Sequence, residues 1–127
     1  MILESQIVAT ADVPNKNGRI YPKALLKRIA ADHLDCGGYG CLGNIEFPKT
    51  EIPINKIAFS WNNLRLEGDN LLADITVMST PCGEIIKAAS EHFGFRTIGH
   101  ATLQIDGTVG DDYVLIALSA LAKDLAA

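Results

Sequence analysis

The period of the apolar positions changes several times along this chain, and each change marks an element. From Ile2 to Val13, Ile, Val and Thr recur between polar residues, which predicts a first strand. From Pro22 to His33 the apolar residues Leu25, Leu26, Ile29 and Ala30 fall at helical spacing, with Lys23, Lys27 and Arg28 on other faces. The spacing predicts an amphipathic helix. Asp35 to Gly43 is rich in glycine and reads as irregular, and Asn44 to Pro48 is a short strand candidate. Ile54 to Trp61 alternates as a strand, and Leu64-Arg65-Leu66 leads into the turn Glu67-Gly68-Asp69-Asn70. Beyond the turn, Leu71, Ala73, Ile75 and Val77 share one face, which predicts a hairpin. Thr80 then suits a helix cap and Pro81 a first helical position, with Ile85, Ile86, Ala89 and Phe93 as the buried stripe and Gly94 as the stop. Phe95 to Ile105 reads as a strand that Gly99 interrupts. Asp106-Gly107 is a turn, and Tyr113 to Leu121, apolar on both faces, is a central strand. The tail from Ala122 to Ala127 reads as helical or frayed.

This order predicts one β-rich α+β domain over residues 1–127, a small closed or nearly closed barrel flanked by two helices. With 127 residues, 48% of them hydrophobic, the chain can bury a modest single core. A formal net charge of −4 argues against a nucleic-acid binder with a basic surface. No apolar run approaches the roughly 20 residues that span a bilayer. The opening Met1-Ile2-Leu3-Glu4-Ser5 lacks the basic flank of a signal peptide, so a soluble intracellular protein is expected. Three cysteines fit reduced thiols better than a disulfide framework.

Composition and spacing name no site. Gly38-x-Gly40-x-x-Gly43 matches the dinucleotide fingerprint as a string but follows a helix, where the fingerprint must follow a strand. His33, Cys36 and Cys41 have no common zinc spacing and no fourth ligand, so no metal and no cofactor are expected. Ser90 and His92 lie two apart on the expected second helix and so point to different faces. Cys82 would stand at a helix N-terminus, where a thiolate is favoured, and His100 falls on a strand.

The stretch Asn15-Lys16-Asn17-Gly18-Arg19-Ile20-Tyr21-Pro22 supplies turn chemistry before a helix. It also resembles the opening signature N-x-N-G-R-[IV]-Y-P of the prohead maturation proteases of tailed bacteriophages, serine proteases sharing the fold of the herpesvirus assemblins. Further stretches follow that family's order. Gly43-Asn44-Ile45-Glu46-Phe47-Pro48 resembles G-E-L-x-H-P, with Phe47 where the catalytic histidine stands. Ile57-Ala58-Phe59-Ser60 falls in a segment that in many members includes a second histidine, and Thr80-Pro81-x-Gly83 matches a helix start. Gly94-Phe95-Arg96-Thr97-Ile98-Gly99 resembles G-[IV]-S-S-R-G, with Arg96 and Thr97 at the two serine positions and Ile98 at the arginine. Tyr113 to Asp124 resembles the closing strand.

The resemblance thus implies a protease fold whose chemistry is missing: a phenyl ring accepts no proton, and arginine is no nucleophile. It implies a structural, decoration or assembly component of a phage virion, more a binder than an enzyme, found in the virion or the host cytoplasm. Its partners would be phage capsid or other virion proteins, within a homo-oligomer or larger assembly. An active endopeptidase that processes scaffold and capsid proteins is the alternative, with Thr97 as nucleophile and His100 as displaced base. An unrelated small binding module is a third reading, favoured if the barrel topology fails.

Overall fold

The computed structural model describes residues 1–43 and 54–123. Its elements are β1 (Ile2–Thr10), α1 (Lys23–Asp32), β2 (Gly37–Leu42), β3 (Ile57–Glu67), β4 (Asn70–Val77), α2 (Pro81–Ala88), β5 (Phe93–His100) and β6 (Val114–Ala122). Single 3₁₀ turns cover Ile54–Lys56 and Ser90–His92. The six strands form one sheet in the order β1-β4-β3-β2-β6-β5, antiparallel except for the β2–β6 pair. The sheet curls into a half-barrel, and its edge strands β1 and β5 return toward each other. The expected β-rich domain, a nearly closed barrel with two helices, is therefore the fold observed.

The β3–β4 hairpin turns at Gly68, and Leu71, Ala73, Ile75 and Val77 are all buried, as their alternation requires. The other end of the core rests on β2. That stretch reads as irregular in the sequence because glycine occupies three of its six positions, yet it is an interior strand between β3 and β6. Gly40 pairs with Phe59 and Gly38 with Trp61. A Cβ on Gly40 would lie 1.9 Å from the Phe59 ring, and one on Gly38 would lie 2.9 Å from Trp61. The two rings occupy the space that side chains on β2 would fill. Phe59 meets Phe95 of β5 edge-to-face at 5.2 Å, and His33 at the end of α1 lies 6.0 Å from Trp61. Leu25, Leu26 and Ile29 bury α1 in the same core. α2 packs against β2, β3 and β4, with Thr80 accepting a 3.0 Å bond from the Gly83 N–H as its cap.

Several boundaries differ from expectation. β1 stops at Thr10, and Ala11 bridges to Tyr21. Pro22 is the cap of α1 rather than its first residue. Ile54 to Lys56 forms a turn, so β3 begins at Ile57 and runs unbroken to Glu67. α2 ends at Ala88, and Phe93 and Gly94 belong to β5, because the 3₁₀ turn redirects the chain before Gly94 is reached. Ile85 is 51% exposed and is not part of the buried stripe. β5 stops at His100 without a break at Gly99, where only the pairing register shifts. β6 is an interior strand, but its start is open, with Val114 62% exposed. The strand candidate 44–48 and the last residues, 124–127, lie outside the described residues.

One polar cluster fixes the bend of β1 and β3 over β4. Ser5 and Asn63 carry positive φ, 54° and 55°, at register shifts in the two strands. Asp74, between them on β4, accepts bonds from the Ser5 N–H (2.9 Å), the Asn63 amide (3.0 Å) and the Arg65 guanidinium (3.2 Å). The Ser5 amide first, then Asn63 and Arg65, hold its carboxyl below the ordinary carboxylate range. Asp74→Ala is expected to lower stability by about 1–3 kcal/mol in denaturant titration. A depressed carboxyl stabilises above its unfolded-state pKa and stops doing so as pH falls through its folded value. The stability difference between wild type and Asp74→Asn should therefore narrow as pH drops from neutrality through about 4 and below.

Candidate functional site

Where β1 and β5 face each other, the sheet leaves a cleft of about 940 Å³. Residues 7–10 of β1 and 94–100 of β5 form its walls, and the loops 13–21 and 101–113 close one end. The opening signature and the stretch that resembles the serine motif, some 75 residues apart in sequence, thus border one cavity.

The first loop is built around Asn15. Its side-chain oxygen accepts from the N–H groups of Asn17 (2.9 Å) and Arg19 (3.0 Å), while its own N–H donates to the Arg19 carbonyl at 2.9 Å. Gly18, with φ of 73°, makes the reversal that sets Arg19 at the cleft. The loop is then stitched to the 101–113 loop: the Ile20 N–H donates to Gly107, and the Val109 N–H donates to Ile20. Asp112 closes that second loop by accepting from the N–H and hydroxyl of Thr102, the latter at 2.7 Å, and these bonds hold its carboxyl low. Arg28 of α1 donates to the carbonyls of Asp111 (3.0 Å) and Tyr113 (2.9 Å).

The floor at this end is aromatic. Tyr21 and Tyr113 meet edge-to-face at 5.7 Å, both buried. A Cβ on Gly99 would lie 2.3 Å from the Tyr113 ring, so the ring sits where a side chain would stand. Burial, then the neighbouring Tyr21, push the Tyr113 phenol far above its usual range. Thr97 and Tyr21 are its polar neighbours, but among the described residues no partner reaches bonding geometry with its oxygen.

On β5, side chains alternate between faces. Phe95, Thr97 and Gly99 share the face that packs on Phe59 and Tyr113, and Thr97 is only 8% exposed. Arg96, Ile98 and His100 take the other face. Arg96 and His100 are half-buried, and Ile98 packs with Cys41 and Ile116. Thr97 and His100 both border the cleft, but a spacing of three on a strand directs them to opposite faces. Phe47 lies outside the described residues.

The remaining candidates stand elsewhere. Cys36 is exposed, while Cys41 is buried in β2, where desolvation pushes its thiol up. Among the described residues no three His, Cys, Asp or Glu side chains gather as a metal site would require. Cys82, in the first turn of α2, places its sulfur 3.5 Å from the Asn55 carbonyl. Ser90 and His92 lie in the 3₁₀ turn rather than on a helix. Sequence reasoning missed Lys123, Leu103 and Tyr113 as cleft residues. Only the rings and glycines that shape the seam could have pointed to them.

No family model matches the sequence, and no curated protein matches it. Among solved structures, the capsid assembly protease gp21 of bacteriophage T4 superposes with a TM-score of 0.71 at 18% identity, covering 94% of this chain and 90% of that one. This is a prohead-protease-like fold. At that identity the likeness is one of architecture, and the cleft's own residues must carry any statement about chemistry.

Because no described residue bonds the buried Tyr113 hydroxyl, Tyr113→Phe should leave stability unchanged or raise it by up to about 1 kcal/mol. Gly99→Ala should lower stability by about 1–3 kcal/mol, since its Cβ would meet both the Tyr113 ring and the backbone carbonyl of Val114. Thermal melts of the two variants check both.

Proposed function

We propose that this chain is a prohead-protease-like protein that works by binding rather than by cutting, as a structural, decoration or assembly component of a phage particle. The observation that carries the reading is the makeup of the cleft. Among the described residues that border it there is no serine and no cysteine; of its two threonines, Thr10 donates its hydroxyl to the Asn70 side chain at 3.1 Å, and Thr97 is buried on the face opposite the cleft's histidine, His100. Nucleophilic catalysis needs a hydroxyl or thiol within hydrogen-bond reach of its base. The substitution of Phe47 at the family's histidine position and of Arg96 at a serine position points the same way. The likeness to a capsid assembly protease supports phage capsid proteins as the partner class and the virion or host cytoplasm as the place.

The competing reading, an active endopeptidase using Thr97 and His100, has in its favour that both residues border one cleft. Quantitative mass spectrometry of particles from the phage or prophage that encodes the chain separates the two. A structural role predicts intact protein at a fixed copy number. It also predicts that Thr97→Ala and His100→Ala leave capsid-protein processing unchanged. Loss of the chain from mature particles, with processing abolished by either substitution, would overturn the proposal.

A further inference from the structure

We infer that Asn17-Gly18 is a site of spontaneous modification, an asparagine that cyclises onto the backbone of its neighbour, and that the bonds made by Asn15 hold its rate down. The inference goes beyond the binding role proposed above and does not depend on it.

The chemistry needs an amide side chain followed by a residue with no side chain. The Gly18 nitrogen attacks Cγ of Asn17. A C–N bond forms and closes a five-membered succinimide, the Cγ–Nδ2 bond breaks, and ammonia leaves with the proton of the Gly18 N–H. Water then adds to one of the two ring carbonyls. One opening gives aspartyl and the other isoaspartyl, whose main chain is one methylene longer. Water is the only co-reactant. Of the chain's asparagines, Asn17 alone precedes a glycine. Both residues are exposed, and a Cβ on Gly18 would meet nothing within 4 Å, so the turn is open to water.

Hydrogen bonding opposes the reaction. The Gly18 N–H, which must give up its proton, donates to the Asn15 carbonyl at 2.9 Å. The Asn17 N–H donates to the Asn15 side chain, also at 2.9 Å. Attack therefore waits for this turn to open locally. Across the seam stands a second dipeptide prone to the same cyclisation, Asp106-Gly107. Its Gly107 N–H is tied in the same way, to the Gln104 carbonyl at 3.0 Å. There the Thr108 N–H, 2.9 Å from the carboxylate, holds Asp106 below its ordinary range, and an ionised carboxylate is a poor target for a nitrogen nucleophile. Asn17 is thus the member of the pair that reacts. The two turns also touch, since a Cβ on Gly107 would clash with the Gly18 carbonyl oxygen. A longer main chain at residue 17 presses on a contact with no space to give. The bonds from the Ile20 N–H to Gly107 and from the Val109 N–H to Ile20, which join the loops at the end of the cleft, are then lost.

The test follows the purified chain at mildly alkaline pH by peptide mass spectrometry, with isoaspartyl-directed methyl transfer as a second readout, beside a synthetic peptide of residues 13–22. Conversion at Asn17 is expected to be slower in the folded chain than in the peptide by about tenfold or more. Asn15→Ala should bring the folded chain toward the peptide rate. Asn15→Asp, whose carboxylate accepts the same N–H bonds, should keep the slow one. Should Asn15→Ala fail to fold by circular dichroism, hydrogen exchange decides: the slowing relative to the peptide must match the protection of the Gly18 N–H within about threefold. In the isolated isoaspartyl form, exchange at the Ile20 and Val109 amides should quicken by about tenfold or more, while the Ser5 amide, bonded to Asp74, stays unchanged. Equal rates in folded chain and peptide, no acceleration in Asn15→Ala, acceleration in Asn15→Asp, faster conversion at Asp106 than at Asn17, or an isoaspartyl chain with its seam intact would each overturn the inference.

Discussion

Two rings standing over two glycines set the shape of this sheet. Phe59 and Trp61 project from β3 across Gly40 and Gly38 of β2, at separations that leave no room for a Cβ on either glycine. Interiors close-pack, so large groups on one strand beside none on the next draw in whatever lies further along the sheet. Here that is β5, whose Phe95 closes on Phe59 at 5.2 Å although two strands, β2 and β6, lie between them in the sheet order. The contact is possible only because the sheet curls, and the curl brings the last strand back toward the first.

The return is incomplete, and the cleft follows from that. β1 and β5 run close without exchanging a ladder. β1 is bent by its shift at Ser5, which Asp74 holds from β4, and the β5–β6 pair carries its own register shift at Gly99. Bulges increase local twist, so two irregular edges diverge where straight ones would have zipped. A closed barrel would have no edge and no groove. The cleft is what remains when closure is carried by side chains rather than by backbone.

Periodicity made the hairpin, both helices and the closing strand legible, because each has a repeating apolar face. It failed at β2, whose burial is supplied by its neighbour's rings, so that nothing in Gly37-Gly38-Tyr39-Gly40 shows a strand period. It failed also at Phe93, which a helical spacing claimed and a 3₁₀ turn transferred to β5. The resemblance placed Arg19 and Arg96 in one family pattern but could not show that they share a cavity. Lys123 and Leu103 enter the cleft through the curl, a long-range property that no local window contains.

The positions that match the protease pattern prove to be those with work to do in any protein of this shape. Asn15 ties its loop through four bonds, two at its side chain and two at its backbone, Gly18 turns it, and Tyr21 packs on Tyr113. Gly99 makes room for that same tyrosine, and Thr80 caps α2. None of these tasks involves a reacting bond. A signature composed of such residues therefore reports that a chain folds this way, and it persists as long as the fold is needed, whatever happens to the chemistry. The residues that would report on chemistry stand at other positions of the pattern. At the two positions that resemble the family's serines the chain carries Arg96, half-buried on one face of β5, and Thr97, a hydroxyl turned toward the core on the other.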